Sequence, residues 1–246
     1  MIKDEDYTWN MQLLNPTFED LYIDVRRREK RVLTDCQVMF LPDIDAAHIH
    51  YHEWKIRKRS SQKLVAYLEK KNKPLKILEV GCGNGWLSSK LSAIPNTIVI
   101  GLDVNEIEIA QAKRIFKKDN LEFAWDSFDP VRYAQREYDI VVFAASIQYF
   151  ESLRTILRNT LSCLSPNGEI HILDSHFYKP GKVVDALKRT ADYYSEIGYP
   201  EMAGYYFHHT LDRLQGFNYK ILSHPGHLLK RIKNAPFYWI AVKHSS

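Results

Sequence analysis

Cysteine is scarce in this 246-residue chain, and Cys36, Cys82 and Cys163 stand far apart. That spacing excludes a disulfide framework and a C-x-x-C zinc site. No apolar stretch approaches the ~20 residues of a membrane helix; the stretch from Ile140 to Ile147, broken only by Ser146, spans only eight. The acidic start, Met1-Ile2-Lys3-Asp4-Glu5-Asp6, has no apolar run behind it, so no secretory signal is expected. Charge of one sign is lacking as well. The net charge is +4, with +3 in residues 1–76 and +1 in the remainder, below the basicity of a dedicated nucleic-acid domain. Internal repeats and low-complexity segments are absent. With 45% hydrophobic and 26% charged residues, the expectation is a cytoplasmic globular protein with one sizeable core.

Two basic clusters stand out, Arg26-Arg27-Arg28-Glu29-Lys30-Arg31 and Lys55-Ile56-Arg57-Lys58-Arg59. They read as solvated faces of two helices, with an anionic substrate or an RNA backbone as the alternative. From residue 74 onward, short β-rich runs alternate with helical stretches. Strands are expected at Leu75–Val80, Ile98–Asp103, Leu121–Trp125, Tyr138–Ala144 and Glu169–Asp174. Helices are expected at Gly85–Ala93, after Asn105, and at Glu151–Leu164. Near-continuous Val/Ile/Leu strands in this rhythm predict a doubly wound, mostly parallel α/β sheet of Rossmann type. The rhythm breaks at residues 175–216, a Tyr- and His-rich helical insertion. Two closing strands, Phe217–Ser223 and Pro236–Val242, flank Pro225-Gly226 and suggest an antiparallel pair, giving seven strands. Residues 1–73 read as a helical extension and 74–246 as the core, with Trp54, Ser61, Leu64, Val65 and Leu68 on one helix face.

The sharpest feature is Glu79-Val80-Gly81-Cys82-Gly83-Asn84-Gly85, between first strand and first helix. Glycines there let backbone approach a ligand at the carboxyl ends of the strands. The spacing is GxGxG, not the GxGxxG of dinucleotide folds. Asp103 closes the second strand, placed to accept hydrogen bonds from both hydroxyls of a ribose.

These residues resemble the class I S-adenosylmethionine-dependent methyltransferases. Ile77 to Gly85 is similar to the family's first motif, and Gly101-Leu102-Asp103-Val104-Asn105 to its second. Phe123-Ala124-Trp125-Asp126 resembles the adenine-contacting stretch, and Tyr138 to Phe150 the fourth-strand motif. Leu164-Ser165-Pro166-Asn167-Gly168-Glu169 resembles the turn before the fifth strand, with Asn167 replacing a glycine. The resemblance implies S-adenosyl-L-methionine as cofactor. Gly81, Cys82, Gly83 and Gly85 would pass under its methionine portion, and Glu79 would hold its amino group. Asp103 would bind the ribose, Val104 would lie against the adenine, and Asp126 with Ser127 would meet the adenine amine. Ala144 and Ala145 would complete the amino-acid pocket.

The same resemblance narrows the acceptor. The Asp/Asn-Pro-Pro-aromatic run of exocyclic-amine methylases is replaced by Ala145-Ser146-Ile147-Gln148-Tyr149-Phe150. Cys163 falls in an amphipathic helix and reads as a buried structural cysteine, not a nucleophile. The paired glutamates of protein-arginine methyltransferases are missing, with only Glu151 present. A small-molecule acceptor under the 175–216 insertion is expected, with direct displacement as mechanism. Tyr149 would face the sulfonium, and His208 or His209 would serve as base where one is needed. His48, His50 and His52 alternate as in a strand but open into a helix, so no metal site is expected. The alternatives are an RNA methyltransferase, a nicotinamide oxidoreductase and a non-catalytic cofactor-binding module; the oligomeric state is not legible.

Overall fold

The computed structural model describes residues 16–134, 137–225 and 236–245. The acidic start and Gly226 lie outside them. Seven strands form one sheet: β1 (Leu75–Val80), β2 (Thr97–Asp103), β3 (Leu121–Trp125), β4 (Tyr138–Ala144), β5 (Leu164–Leu173), β6 (Asn218–Ser223) and β7 (Trp239–Lys243). Their order is β3-β2-β1-β4-β5-β7-β6. The pairs from β3 to β5 are parallel, and β7 runs antiparallel to both β5 and β6. The chain reverses its winding between β1 and β4, which opens a crevice at their carboxyl ends.

The helices are α1 (Pro16–Arg28), α2 (Asp35–Phe40), α3 (Tyr51–Glu69), α4 (Trp86–Leu91), α5 (Glu106–Ile115), α6 (Pro130–Ala134), α7 (Leu153–Leu161) and α8 (Val183–Glu196). Side chains alternate between two buried faces of the sheet, as period-2 geometry requires. Leu78, Val80, Val141, Phe143, Ile170 and Ile172 pack on one side with α7 residues Ile156 and Leu157. Ile77, Val99, Ile140 and Val142 pack on the other with Trp54, Leu64 and Leu68 of α3. Trp54 meets Trp86 edge-to-face at 5.4 Å, so α3 is a layer of the same core and not a detached appendage. A smaller cluster of Phe18, Val25, Tyr194 and Met202 seats α1 against the insertion. That contact closes the top of the crevice.

Several boundaries shift. β5 begins at Leu164 rather than Glu169, because Tyr138 pairs with Leu164 before the register slips at Ile140. α7 therefore ends early, and Cys163 sits just past it, fully buried. Helix α6, not anticipated, follows Phe128. Asn105 caps α5 as expected, its Oδ1 accepting from the Glu108 amide at 3.0 Å. Among the described residues, no helix is long and apolar enough to cross a membrane.

Candidate functional site

The loop between β1 and α4 is held open by its glycines. Gly81 (φ +75°) and Gly85 (φ +77°) occupy the left-handed region, where L side chains are strained. A Cβ on Gly81 would overlap Ser146, and one on Gly85 would overlap the Phe123 ring. The amides of Gly81 and Cys82 both donate to the Leu102 carbonyl, at 2.8 and 3.0 Å. Ser146 Oγ donates to the Val80 carbonyl at 2.6 Å. The loop is thus pinned between the ends of β2 and β4, and Gly83 fronts the crevice.

Asp103 ends β2. Its Oδ2 accepts from the Gly83 amide at 2.7 Å and its Oδ1 from the Asn105 amide at 2.9 Å. Burial, reinforced by Glu108, pushes its pKa above the usual carboxylate range, against the pull of those two amides. A narrow cavity of about 80 Å³ lies beside it, walled by Val104, Asp126, Phe128 and Phe150 among others. Asp126 also accepts from Arg132 and from the Tyr133 hydroxyl.

A chamber of about 590 Å³ lies beside this cavity. Tyr22, Gly81, Gly83, Ala145 and Tyr149 belong to both walls. Ala145 (φ +57°) and Asp174 (φ +54°), at the ends of β4 and β5, are held in a backbone conformation that non-glycine residues avoid. The roof is aromatic. Tyr149 stands edge-on to Tyr22 at 5.7 Å and to Tyr206 at 6.0 Å.

The chamber wall is strongly charged. Glu53 is engaged by Arg31 at 2.6 Å and by Arg57 at 3.0 Å. Burial raises the Glu53 pKa, but Arg57 and Arg31 outweigh it and hold the carboxyl at about 2. Glu29 pairs with Arg31 at 2.9 Å and accepts from the Tyr193 hydroxyl of α8. Glu79 is 2% exposed and accepts from the Ser88 hydroxyl. Burial pushes its pKa to about 8, against the Ser88 hydrogen bond. Asp174 accepts from Ser60 Oγ at 2.7 Å; burial raises its pKa, and Arg57 and Ser60 oppose that.

Most of the sequence-predicted residues converge here: Glu79, Gly81, Cys82, Gly83, Asp103, Val104, Asp126, Ala144, Ala145 and Tyr149 all line one cavity or both. Gly85 shapes the loop from behind. Ser127 is buried outside the two walls, its amide bonded to Asp126 at 2.9 Å. His208 and His209, expected as base, do not line the chamber themselves, though His208 packs on Tyr178 and Tyr206 of its wall. His209 is buried, its Nε2 within 3.1 Å of the Ile147 carbonyl, and burial lowers its pKa. His208 turns to Thr190 at 2.9 Å, and burial and the nearby Arg189 lower its pKa. The basic clusters are revised too. Arg27 is solvated, but Arg26, Arg31 and Arg57 turn inward to carboxylates.

The residues missed in the sequence are Glu53, Glu108, Asp174 and His176, which share the chamber wall with Arg26 and Arg57 of the two basic clusters. Only Asp174 carried a usable signal: it follows a parallel strand at its carboxyl end, as Asp103 closes β2. Among the described residues no cluster of His, Cys, Asp and Glu is arranged to hold a metal.

The residues present fit the cofactor that the resemblance implies. The space that a Cβ on Gly81 would close, the carboxylate of Asp103 and the narrow cavity it shares with Val104 suit a nucleoside. Two buried polar atoms at the chamber edge, Arg26 Nε and Glu108 Oε2, have no hydrogen-bond partner among the described residues.

A model of the methyltransferase domain matches residues 51–222. Malonyl-[acyl-carrier protein] O-methyltransferase from Bacillus anthracis is 26% identical over 129 residues, 50% of this chain and 48% of that protein. Malonyl-[acyl-carrier protein] O-methyltransferase 2 of Ilyobacter polytropus is 30% identical over 117 residues, 47% of this chain and 45% of the relative. The matches span about half the length of these curated relatives. Magnesium protoporphyrin IX methyltransferase from Synechocystis PCC 6803, solved with S-adenosylhomocysteine, has a TM-score of 0.60. It covers 96% of this chain and 100% of that one at 15% identity. Plantazolicin methyltransferase BpumL gives 0.55, covering 94% and 92% at 17% identity. At such identities the structural likeness speaks for the fold. The domain match covers most of the chain, including the glycine loop, Asp103 and all of β1 to β5, and the chain belongs to the class I S-adenosylmethionine-dependent methyltransferase family.

Proposed function

We propose that this protein transfers a methyl group from S-adenosylmethionine to a small acceptor held in the 590 Å³ chamber. The observation that carries this reading is the shared wall of the two cavities at Gly81, Gly83, Ala145 and Tyr149. A nucleoside beside Asp103 and an acceptor under the insertion would meet there. When bound, S-adenosylmethionine supplies a methyl group activated by a sulfonium. The chain contributes orientation and exclusion of water. Residues Asp103 and Val104 hold the nucleoside; Tyr22 and Tyr149 offer aromatic faces to positive charge. Asp174 takes over the role first read onto the histidines. Ser60 occupies its Oδ2, and its Oδ1 accepts the proton that an O–H or N–H acceptor releases.

The inward ion pairs of Arg31 and Arg57 support a small acceptor over RNA, since engaged arginines are not a free backbone clamp. An open chamber supports catalysis over a binding module, whose site would be filled by side chains. The GxGxG spacing supports S-adenosylmethionine over a nicotinamide. The relatives named as malonyl-[acyl-carrier protein] methyltransferases favour one second reading, an acceptor presented on a carrier. The methyltransferase core is taken as residues 74–246, with α1 to α3 and the insertion 175–216 packed on it. Free, isolated cysteines support a cytoplasmic location.

The test is transfer of labelled methyl into cell extract divided into metabolite, RNA and protein fractions. Label in the metabolite fraction supports the first reading, and label on a small acidic carrier protein the second. Label confined to RNA, or none in any fraction, overturns both.

A further inference from the structure

Helix α1 lies outside the matched residues 51–222, yet it delivers a guanidinium to the glycine loop. Arg26 reaches across to Glu108 of α5, with Nη2 and Oε1 3.7 Å apart. That separation is too long for a hydrogen bond. The two side chains are only 19% and 11% exposed, and Arg26 Nε and Glu108 Oε2 are each buried without a hydrogen-bond partner among the described residues. Opposite charges withdrawn from water and left loosely paired are costly unless something completes them. Both face the chamber beside Cys82, Gly83 and Asn84. Gly83 leaves room there: a Cβ would come within 3.2 Å of Glu108 Oε2.

We propose that Arg26 and Glu108 form a clamp for the zwitterionic amino-acid end of the cofactor. Arg26 takes the carboxylate and Glu108 the ammonium. A ligand group carrying both charges on one carbon satisfies both orphaned atoms at once, which a simple anion or cation does not. Glu79, expected from the sequence to hold the ammonium, also lines the chamber, but it is 2% exposed and already bonded to Ser88. The assignment also gives α1 a role. The helix is seated on the insertion through Phe18 and Val25, so the cofactor's amino-acid end binds fully only when the roof is closed.

This inference rests on the methyltransferase reading, and its test separates the two. S-adenosylhomocysteine and 5′-methylthioadenosine share adenine, ribose and thioether, but only the first carries the amino acid. Calorimetric titration of the wild-type protein, Arg26→Gln and Glu108→Gln with each ligand reads the clamp directly. The wild type should bind S-adenosylhomocysteine more tightly than 5′-methylthioadenosine. Each variant should lose about 10- to 100-fold for S-adenosylhomocysteine, as expected for lost charge-assisted hydrogen bonds. Affinity for 5′-methylthioadenosine should stay within about twofold. Equal losses for both ligands, or none for either, overturn the clamp. So does a wild type that binds the two equally. A wild type that binds neither overturns the underlying reading. Arg26→Lys covers the case of a misfolded glutamine variant: it keeps the charge and should retain part of the discrimination, whereas wild-type affinities for Arg26→Lys together with unaltered ones for Glu108→Gln refute the assignment.

Discussion

Replacing Glu79 by glutamine isolates the cost of an ionisable group in the chamber floor. Its carboxyl is 2% exposed and its pKa is pushed from the usual 4.5 to about 8, chiefly by burial. A raised pKa means that the native state holds a proton the unfolded chain releases. The associated stability is complete below pH 4.5 and is lost as pH rises through about 8. At about 1.4 kcal/mol per pH unit, the loss is on the order of 4 kcal/mol. Glutamine is neutral throughout and still accepts from Ser88, so Glu79→Gln should escape this loss. Denaturant unfolding at pH 5, 6.5 and 8 measures it. The variant should lie within about 1 kcal/mol of wild type at pH 5 and gain on it by several kcal/mol at pH 8. Parallel pH profiles for the two proteins would refute the buried, protonated Glu79.

Asp103→Ala should weaken S-adenosylhomocysteine binding by ~1–3 kcal/mol in calorimetry, through lost charge-assisted ribose bonds; an unchanged affinity removes Asp103 from the site. Gly81→Ala should destabilise the fold by at least ~2 kcal/mol in thermal or denaturant unfolding, since its Cβ would overlap Ser146 at a positive φ; a neutral substitution contradicts the pinned loop. Asp174→Asn should lower kcat at least ~10-fold while leaving S-adenosylhomocysteine affinity unchanged; full turnover shows that Asp174 takes no proton. Glu53→Gln should cost ~1–3 kcal/mol at pH 7, because Arg31 and Arg57 lose their shared carboxylate. Its carboxyl pKa is depressed, so this contribution is present above pH 4.5 and fades as pH falls toward 2. The gap between wild type and variant should therefore shrink in acid, and a constant gap refutes the ion-pair account.

The cofactor half of the site was legible because its residues are local. The glycine loop and Asp103 lie at strand ends, where hydrophobic periodicity and turn chemistry fix position from the sequence alone. The rest of the chamber wall is assembled from distant segments. Arg26, Glu53 and Arg57 sit in patterns that also describe solvated helix faces, and only the packing of α1 and α3 over the crevice turns them inward. The histidine pair stands outside the chamber wall for the opposite reason. A polar pair in an aromatic insertion suggests chemistry, but His209 serves the backbone of Ile147. The slipped start of β5 was invisible because Pro166 and Gly168 read as a turn, whereas Tyr138 pairs with Leu164 ahead of them.

A crystal structure with S-adenosylhomocysteine tests the central claim most directly. The ribose should sit on Asp103, the adenine in the cavity of Val104 and Phe128, and the thioether sulfur at the junction of Gly81, Ala145 and Tyr149, facing the chamber. A ligand bound elsewhere, or with its sulfur turned away from the chamber, would contradict delivery of a methyl group to an acceptor there.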